Sequence, residues 1–267
     1  MIFVITHKIF DDSILNNLSY CVLHVGQNDN FKKYYLRDDV GDNISCLNIS
    51  FCELTGIYWL WKNYKQDLDE SFCIVHYRRY FTTYFCDFLY TYFGINPSIR
   101  SSSFYEKYLD NFDIILPKRV KIFRTVQEFY SDLHCKEDLF LTRKVLCDLF
   151  PEYTLSFDEV MNSHYFYYAN MMVCRRKVFN DYCQWLFSIM NELKKLIDVQ
   201  KYDNPYQQRV FGFISERLLQ VWVLHNSLKV KECSVFNTES KRINIFKKNS
   251  NRLKKILSKT INYFIQQ

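Results

Sequence analysis

Arg78 and Arg79 stand side by side, with His76 and Tyr77 before them and Tyr80 after, directly behind the apolar run 72–75. Guanidinium groups are permanently charged and present paired N–H donors that match two oxygens of a phosphate. Two of them at one point of the chain, with an imidazole beside them, suit an anionic ligand such as a diphosphate. Two adjacent charges are also costly to bury without such a partner. The plainer reading is a solvated basic loop, because arginines are mostly surface residues. Further along, Glu216 precedes Arg217: either a carboxylate that takes a proton from a hydroxyl, or one half of an ion pair within a helix. Asp138, Asp158 and Asp181 are further carboxylate candidates, while His134 and His164 suit packed positions equally well.

These groups need elements to hold them. Residues 72–75 (FCIV) read as a buried strand that ends at His76, and in open α/β sheets ligands bind at the carboxyl ends of strands. Residues 2–6 (IFVIT) repeat the pattern, an apolar strand tipped by Thr6, His7 and Lys8. Residues 22–25 form a second short strand ending in Val25 and closed by Gly26, whose missing side chain lets backbone approach a ligand. Residues 38–45 (DDVGDNIS) are a loop of turn formers in which Asp42 and Asn43 either read a base or ribose or simply hold the turn. Residues 50–63 then predict one helix with Leu54, Ile57, Tyr58 and Trp61 on a single face. Beyond the central stretch the pattern predicts a helix over 104–111, a strand over 113–117, helical periodicity over 125–150 stopped by Pro151, a strand-like run over 165–174, and helices over 175–195 and 207–225. The last of these carries Arg209, Gly212, Ser215, Glu216 and Arg217.

The 267 residues suffice for one large domain, and 18% aromatic content with only five glycines and four prolines describes a packed globule. Eight of the 35 basic residues and none of the 29 acidic ones lie in 241–267, which leaves 27 basic against 29 acidic in the rest. The net charge of +6 is therefore a property of the tail, which argues against a basic body built to track nucleic acid. On a helix, Leu253, Ile256, Leu257, Thr260, Ile261 and Phe264 of the tail share one face, the pattern of a basic amphipathic segment lying on an anionic membrane. Its alternative is an apolar face packed on the protein itself. No apolar run reaches the roughly 18 to 20 residues of a membrane span, and the N-terminus lacks a signal-peptide pattern, so a cytoplasmic protein, peripheral on the inner face of the cell membrane, is expected. The ten cysteines include no CxxC pair and read as reduced thiols with no zinc site.

Five segments in order, ITHK at 5–8, GDNIS at 41–45, ELTGIYWLWKN at 53–63, HYRRYF at 76–81 and FGFISERL at 211–218, resemble a bacterial capsular and exopolysaccharide glycosyltransferase family long catalogued only as a domain of unknown function. The resemblance spans about residues 1–225. It implies an α/β fold: a GT-A-like single domain over 1–240, with a Rossmann-like mixed sheet flanked by helices, followed by the basic amphipathic helix 241–267. It implies transfer of a sugar from a nucleotide-diphosphate donor to a growing, lipid-linked surface glycan. Donor contacts are then expected at Thr6, His7, Lys8, Val25, Gly26, Asp42, Asn43, Glu53, Trp61, Lys62 and Asn63, and acceptor contacts at Tyr80, Asn170, Met171, Arg209 and Arg217. Chemistry is expected from Glu216 as base with His76, Arg78 and Arg79. Where most GT-A enzymes carry a metal-binding Asp-x-Asp, this sequence has His76-Tyr77-Arg78-Arg79. Fixed cations are therefore expected to do the metal's work at the departing diphosphate, with no divalent metal or other cofactor. The missing Asp-x-Asp also leaves open a non-catalytic nucleotide-sugar or glycan-binding module of the same fold.

Overall fold

The computed structural model describes residues 1–15, 20–65, 67, 70–93 and 99–239; the tail and its expected amphipathic helix lie outside them. The strands are β1 (Ile2–Thr6), β2 (Tyr20–His24), β3 (Leu36–Arg37), β4 (Ser71–His76), β5 (Arg79–Thr82), β6 (Ile114–Pro117), β7 (Val120–Lys121), β8 (Tyr165–Phe166), β9 (Met172–Arg175) and β10 (Val230–Asn237). The helices are α1 (Asn48–Phe51), α2 (Leu54–Asn63), α3 (Tyr84–Phe93), α4 (Ser102–Leu109), α5 (Val126–Leu133), α6 (Lys136–Leu149), α7 (Thr154–Asn162), α8 (Arg176–Leu196) and α9 (Val210–His225).

All but the small β7–β8 pair join one eight-stranded mixed sheet. β3, β2, β1 and β4 are parallel neighbours, so their carboxyl ends share one edge. The other side of β4 takes β9 antiparallel at residues 71–74, and β9 continues to β6. From β6 the sheet runs through parallel β10 to antiparallel β5, which returns to β4 through the His76–Arg79 pair. The continuous apolar runs follow from burial on both faces. In β1, Phe3 and Ile5 belong to one core and Ile2 and Val4 to the other; β4 divides Phe72 and Ile74 from Cys73 and Val75 in the same way. The first core is closed by α2 and α5 to α9, the second by α3 and α4. Phe72 joins the sheet to α8 through Phe179, 4.2 Å between ring centroids.

Several elements differ from the sequence reading. The expected single helix over 50–63 is two, because the backbone at Cys52 turns to φ 53°, ψ −128°. That turn is held by its carbonyl, which accepts from Asn48 Nδ2 at 2.8 Å and Thr55 Oγ1 at 3.1 Å. The 165–174 run is a two-residue strand, a bend with Ala169 at φ +67°, and then β9. The 125–150 segment is two helices, the first opened by a capping box between Thr125 and Glu128. α7 and β10 lack a clear periodic signature and are seen only in the fold.

Candidate active site

The carboxyl ends of β1, β2 and β4 meet the break between α1 and α2 and the start of α9, and an open cleft of about 560 Å³ lies between them. Nine residues expected at the site line it: Thr6, His7, Val25, Glu53, His76, Arg78, Arg79, Arg209 and Glu216. They come from six places in the chain. Ile5, Asn28, Asn48, Ile49, Cys52 and Tyr77 complete the wall. Ile5 and Tyr77 belong to the ITHK and HYRRYF segments; the other four carry no sequence signal of their own, and Asn48 and Cys52 are placed by the helix break.

HYRRYF is a hairpin. Tyr77 and Arg78 form its two-residue turn between β4 and β5, and Tyr77 N–H still follows the β1 register by donating to Ile5 O at 3.1 Å. The hairpin tip thus projects both arginines over the edge of the parallel strands. Arg78 donates to Glu239 Oε2 at 2.9 Å. The Arg79 guanidinium lies 5.6 Å from the Tyr168 ring centroid and makes no ion pair among the described residues. His76 beneath them is pushed down to about 4 by burial, opposed by Glu53 and reinforced by the two arginines, so it is neutral near pH 7. His7 is also held below its usual range, first by burial and then by Lys8, Arg209 and Arg78.

Two carboxylates face these cations. Glu216 Oε1 accepts the Ala169 amide at 2.9 Å and its Oε2 accepts Arg217 at 3.0 Å. Burial raises its pKa, against the opposing pull of Arg217. Glu53 opens α2 and accepts from Asn170 Nδ2 at 2.6 Å. Asn170 is fully buried and also donates to Ser215 Oγ at 2.9 Å, so one amide ties the bend before β9 to the head of α2 and to α9. Gly56 lets α2 lie directly on the sheet, since a Cβ there would sit 2.7 Å from Val25.

The remaining expected site residues are elsewhere. Lys8 points away from the cleft, 3.9 Å from Glu239 and over the Tyr77 ring, because Thr6 Oγ1 closes a turn by donating to Lys8 O at 2.6 Å. Gly26, at φ +86°, makes room for Asn48 rather than a ligand: a Cβ would meet Asn48 Oδ1 at 2.8 Å. Its amide donates to Asp38, whose pKa burial pushes up to about 6. Asn63 binds both the amide and carbonyl of Asp42, Tyr58 donates to Asp42 Oδ1, and Asn43 bonds Ser45 and Gly41 within its own loop. Asn63 and Tyr58 thereby latch the loop to α2, while Trp61 stacks on Phe187 of α8 at 5.7 Å with the Lys62 ammonium 3.6 Å from the Trp61 ring centroid. Asp42, Asn43, Trp61, Lys62 and Asn63 all lie outside the cleft lining. The expected acceptor contacts Tyr80, Asn170, Met171 and Arg217 are corrected: Tyr80, Asn170 and Met171 are fully buried and none lines the cleft. Arg217 lies between the Tyr130 and Phe166 rings, where its positive charge is covered by π-faces and Glu216.

β4 ends without a carboxylate, and among the described residues no three His, Cys, Asp or Glu side chains are grouped to hold a metal ion. No described helix is long and apolar enough to cross a membrane, and all ten cysteines are free thiols.

A model of the domain of unknown function DUF4422 matches residues 1–227. The chain belongs to the DUF4422 family. No curated protein matches it. Among solved structures this DUF4422 chain is similar to the WbbM bifunctional glycosyltransferase in its apo form, at 27% identity and a TM-score of 0.73. The match covers 92% of this chain and 47% of that one, so the chain spans about half the length of its structural relative. The mixed α/β domain is thus similar to a glycosyltransferase structure.

Proposed function

We propose that the protein is a glycosyltransferase that moves a sugar from a nucleoside diphosphate to a growing surface glycan, with 1–240 as its GT-A-like domain. One observation carries the reading. Arg78, Arg79, Arg209 and His7 converge with two carboxylates in one cleft at the carboxyl edge of a parallel sheet. Anions gather at such an edge, and a departing diphosphate needs fixed positive charge more than it needs a metal as such. Arg79 is available for that task, and Arg78 becomes so when it leaves Glu239. The likeness to a bifunctional glycosyltransferase supports the same class. The basic segment 241–267 would hold the enzyme at an anionic membrane, where a lipid-linked acceptor is confined.

Screening the purified protein against a panel of nucleotide sugars, with release of nucleoside diphosphate as the readout, tests the proposal. Turnover with one donor supports it. Binding of a donor with no turnover toward any acceptor or water would instead make the protein a binding module.

A further inference from the structure

We propose that Glu53, rather than Glu216, accepts the proton of the acceptor hydroxyl. The assignment rests on the glycosyltransferase reading and goes beyond it by naming the reacting group. Glu216 is committed at both oxygens, to the Ala169 amide and to the Arg217 guanidinium. Arg217 is only 4% exposed, and protonating its carboxylate partner would leave a buried cation without its counter-charge. A carboxylate held in that way positions the loop at Ala169 and the start of the Asn170 segment.

Glu53 is held differently. Asn170 donates to Oε1, while no described residue donates to Oε2, and the side chain lines the cleft. Its anchor is rigid, because Asn170 is fully buried and bonded to Ser215 as well. The backbone before it is in a sparsely populated conformation, Cys52 at φ 53°, ψ −128°, which breaks the helix and puts Glu53 at the head of α2 instead of within a longer helix. Such strain persists where the surrounding structure enforces it, and it gathers at reacting sites. One oxygen fixed and one oxygen open to the cleft is the arrangement a general base needs.

In the step itself, the acceptor oxygen bonds to the anomeric carbon as its proton passes to Glu53 Oε2. The bond from that carbon to the phosphate oxygen breaks, and its electron pair leaves with the nucleoside diphosphate. Glu53 then returns the proton to water.

The test compares Glu53→Gln and Glu216→Gln in the full chain with the donor found by the panel. Glu53→Gln keeps the shape and the Asn170 contact, so donor Kd should stay within about threefold while kcat falls by roughly 100-fold or more. Glu216→Gln should keep kcat within about tenfold and lose thermal stability. The reverse pattern, or a Glu53→Gln variant that turns over like wild type, overturns the assignment. Should Glu53→Gln not fold, Glu53→Asp retains the charge but draws the carboxylate back, and it should lower kcat with donor KM unchanged. Unaltered kcat in that variant overturns the assignment too. The wild-type product gives an independent check: direct displacement assisted by a base inverts the anomeric centre, and retention seen by proton NMR would rule Glu53 out. A wild-type enzyme silent toward every donor defeats the glycosyltransferase reading itself, and this assignment with it.

Discussion

Arg78 and Glu239, 161 residues apart, join the hairpin tip of the cleft to the end of β10 through a 2.9 Å ion pair. Both side chains are more than a third exposed, so the pair adds less than about 1 kcal/mol to stability. On the proposed function its effect falls on the ligand, because Arg78 would have to give up Glu239 to grip a phosphate. Glu239→Gln should therefore leave Tm almost unchanged and lower donor KM a few-fold, with the gain shrinking at high salt. A raised KM would mean that the pair orients Arg78 for the donor.

Arg79 lines the cleft and makes no ion pair with a carboxylate among the described residues. Arg79→Ala should lower kcat roughly 100-fold, as expected for loss of one preorganised charge at a leaving group, and wild-type activity should survive excess EDTA. Normal kinetics in the variant would remove Arg79 from the chemistry. Loss of activity on chelation, with recovery on adding manganese or magnesium, would overturn the metal-free reading.

His7 is kept below its usual range by burial and by Lys8, Arg209 and Arg78. An anion placed among those cations reverses their effect, so its pKa should rise in the complex and a proton should be taken up on binding near neutral pH. Calorimetry of nucleoside diphosphate binding in buffers of different ionisation enthalpy reads this directly. No proton uptake would mean that the diphosphate lies away from His7.

Asn63 makes three hydrogen bonds that hold Asp42 and the end of α2 together. Asn63→Ala should cost about 1–3 kcal/mol of stability, measured by denaturant titration, with donor affinity changed less than threefold. A large loss of affinity with little loss of stability would return the loop to the donor site.

The tail prediction is electrostatic. Protein ending at Ser240 should stay in solution with anionic vesicles, while the full chain should sediment with them and release in high salt, at about 1 kcal/mol for each basic residue near the surface. Equal behaviour of the two proteins would leave the tail without a membrane role.

What was legible in the sequence was whatever strong local patterning encodes. Runs such as IFVIT are apolar because both faces are buried, and their polar tips mark the sheet edge where His7 and His76 now line the cleft. The hairpin of HYRRYF was not legible, since its turn at Tyr77-Arg78 has no glycine or asparagine to announce it. The break at Cys52 was hidden as well, because it is enforced by Asn48 and Thr55 side chains and not by a helix breaker. Long-range ties escaped for the same reason. Nothing local to Asn170 says that it will meet Glu53 from 117 residues away. Arg217 and Tyr80 were misplaced because chemically capable side chains can also be interior, and only packing decides between the two.

The position of β10 sets the order in which this fold can assemble. It enters between β5 and β6 with four residue pairs to each, yet it spans residues 230–237, after every other strand. A nascent chain can build the parallel edge early, but β5 and β6 remain open edges until the ribosome has released β10. The family match itself stops at 227. A fragment cut at that boundary would hold every residue of the cleft and still lack the strand that fills the place between β5 and β6, leaving two unpaired edges to invite aggregation.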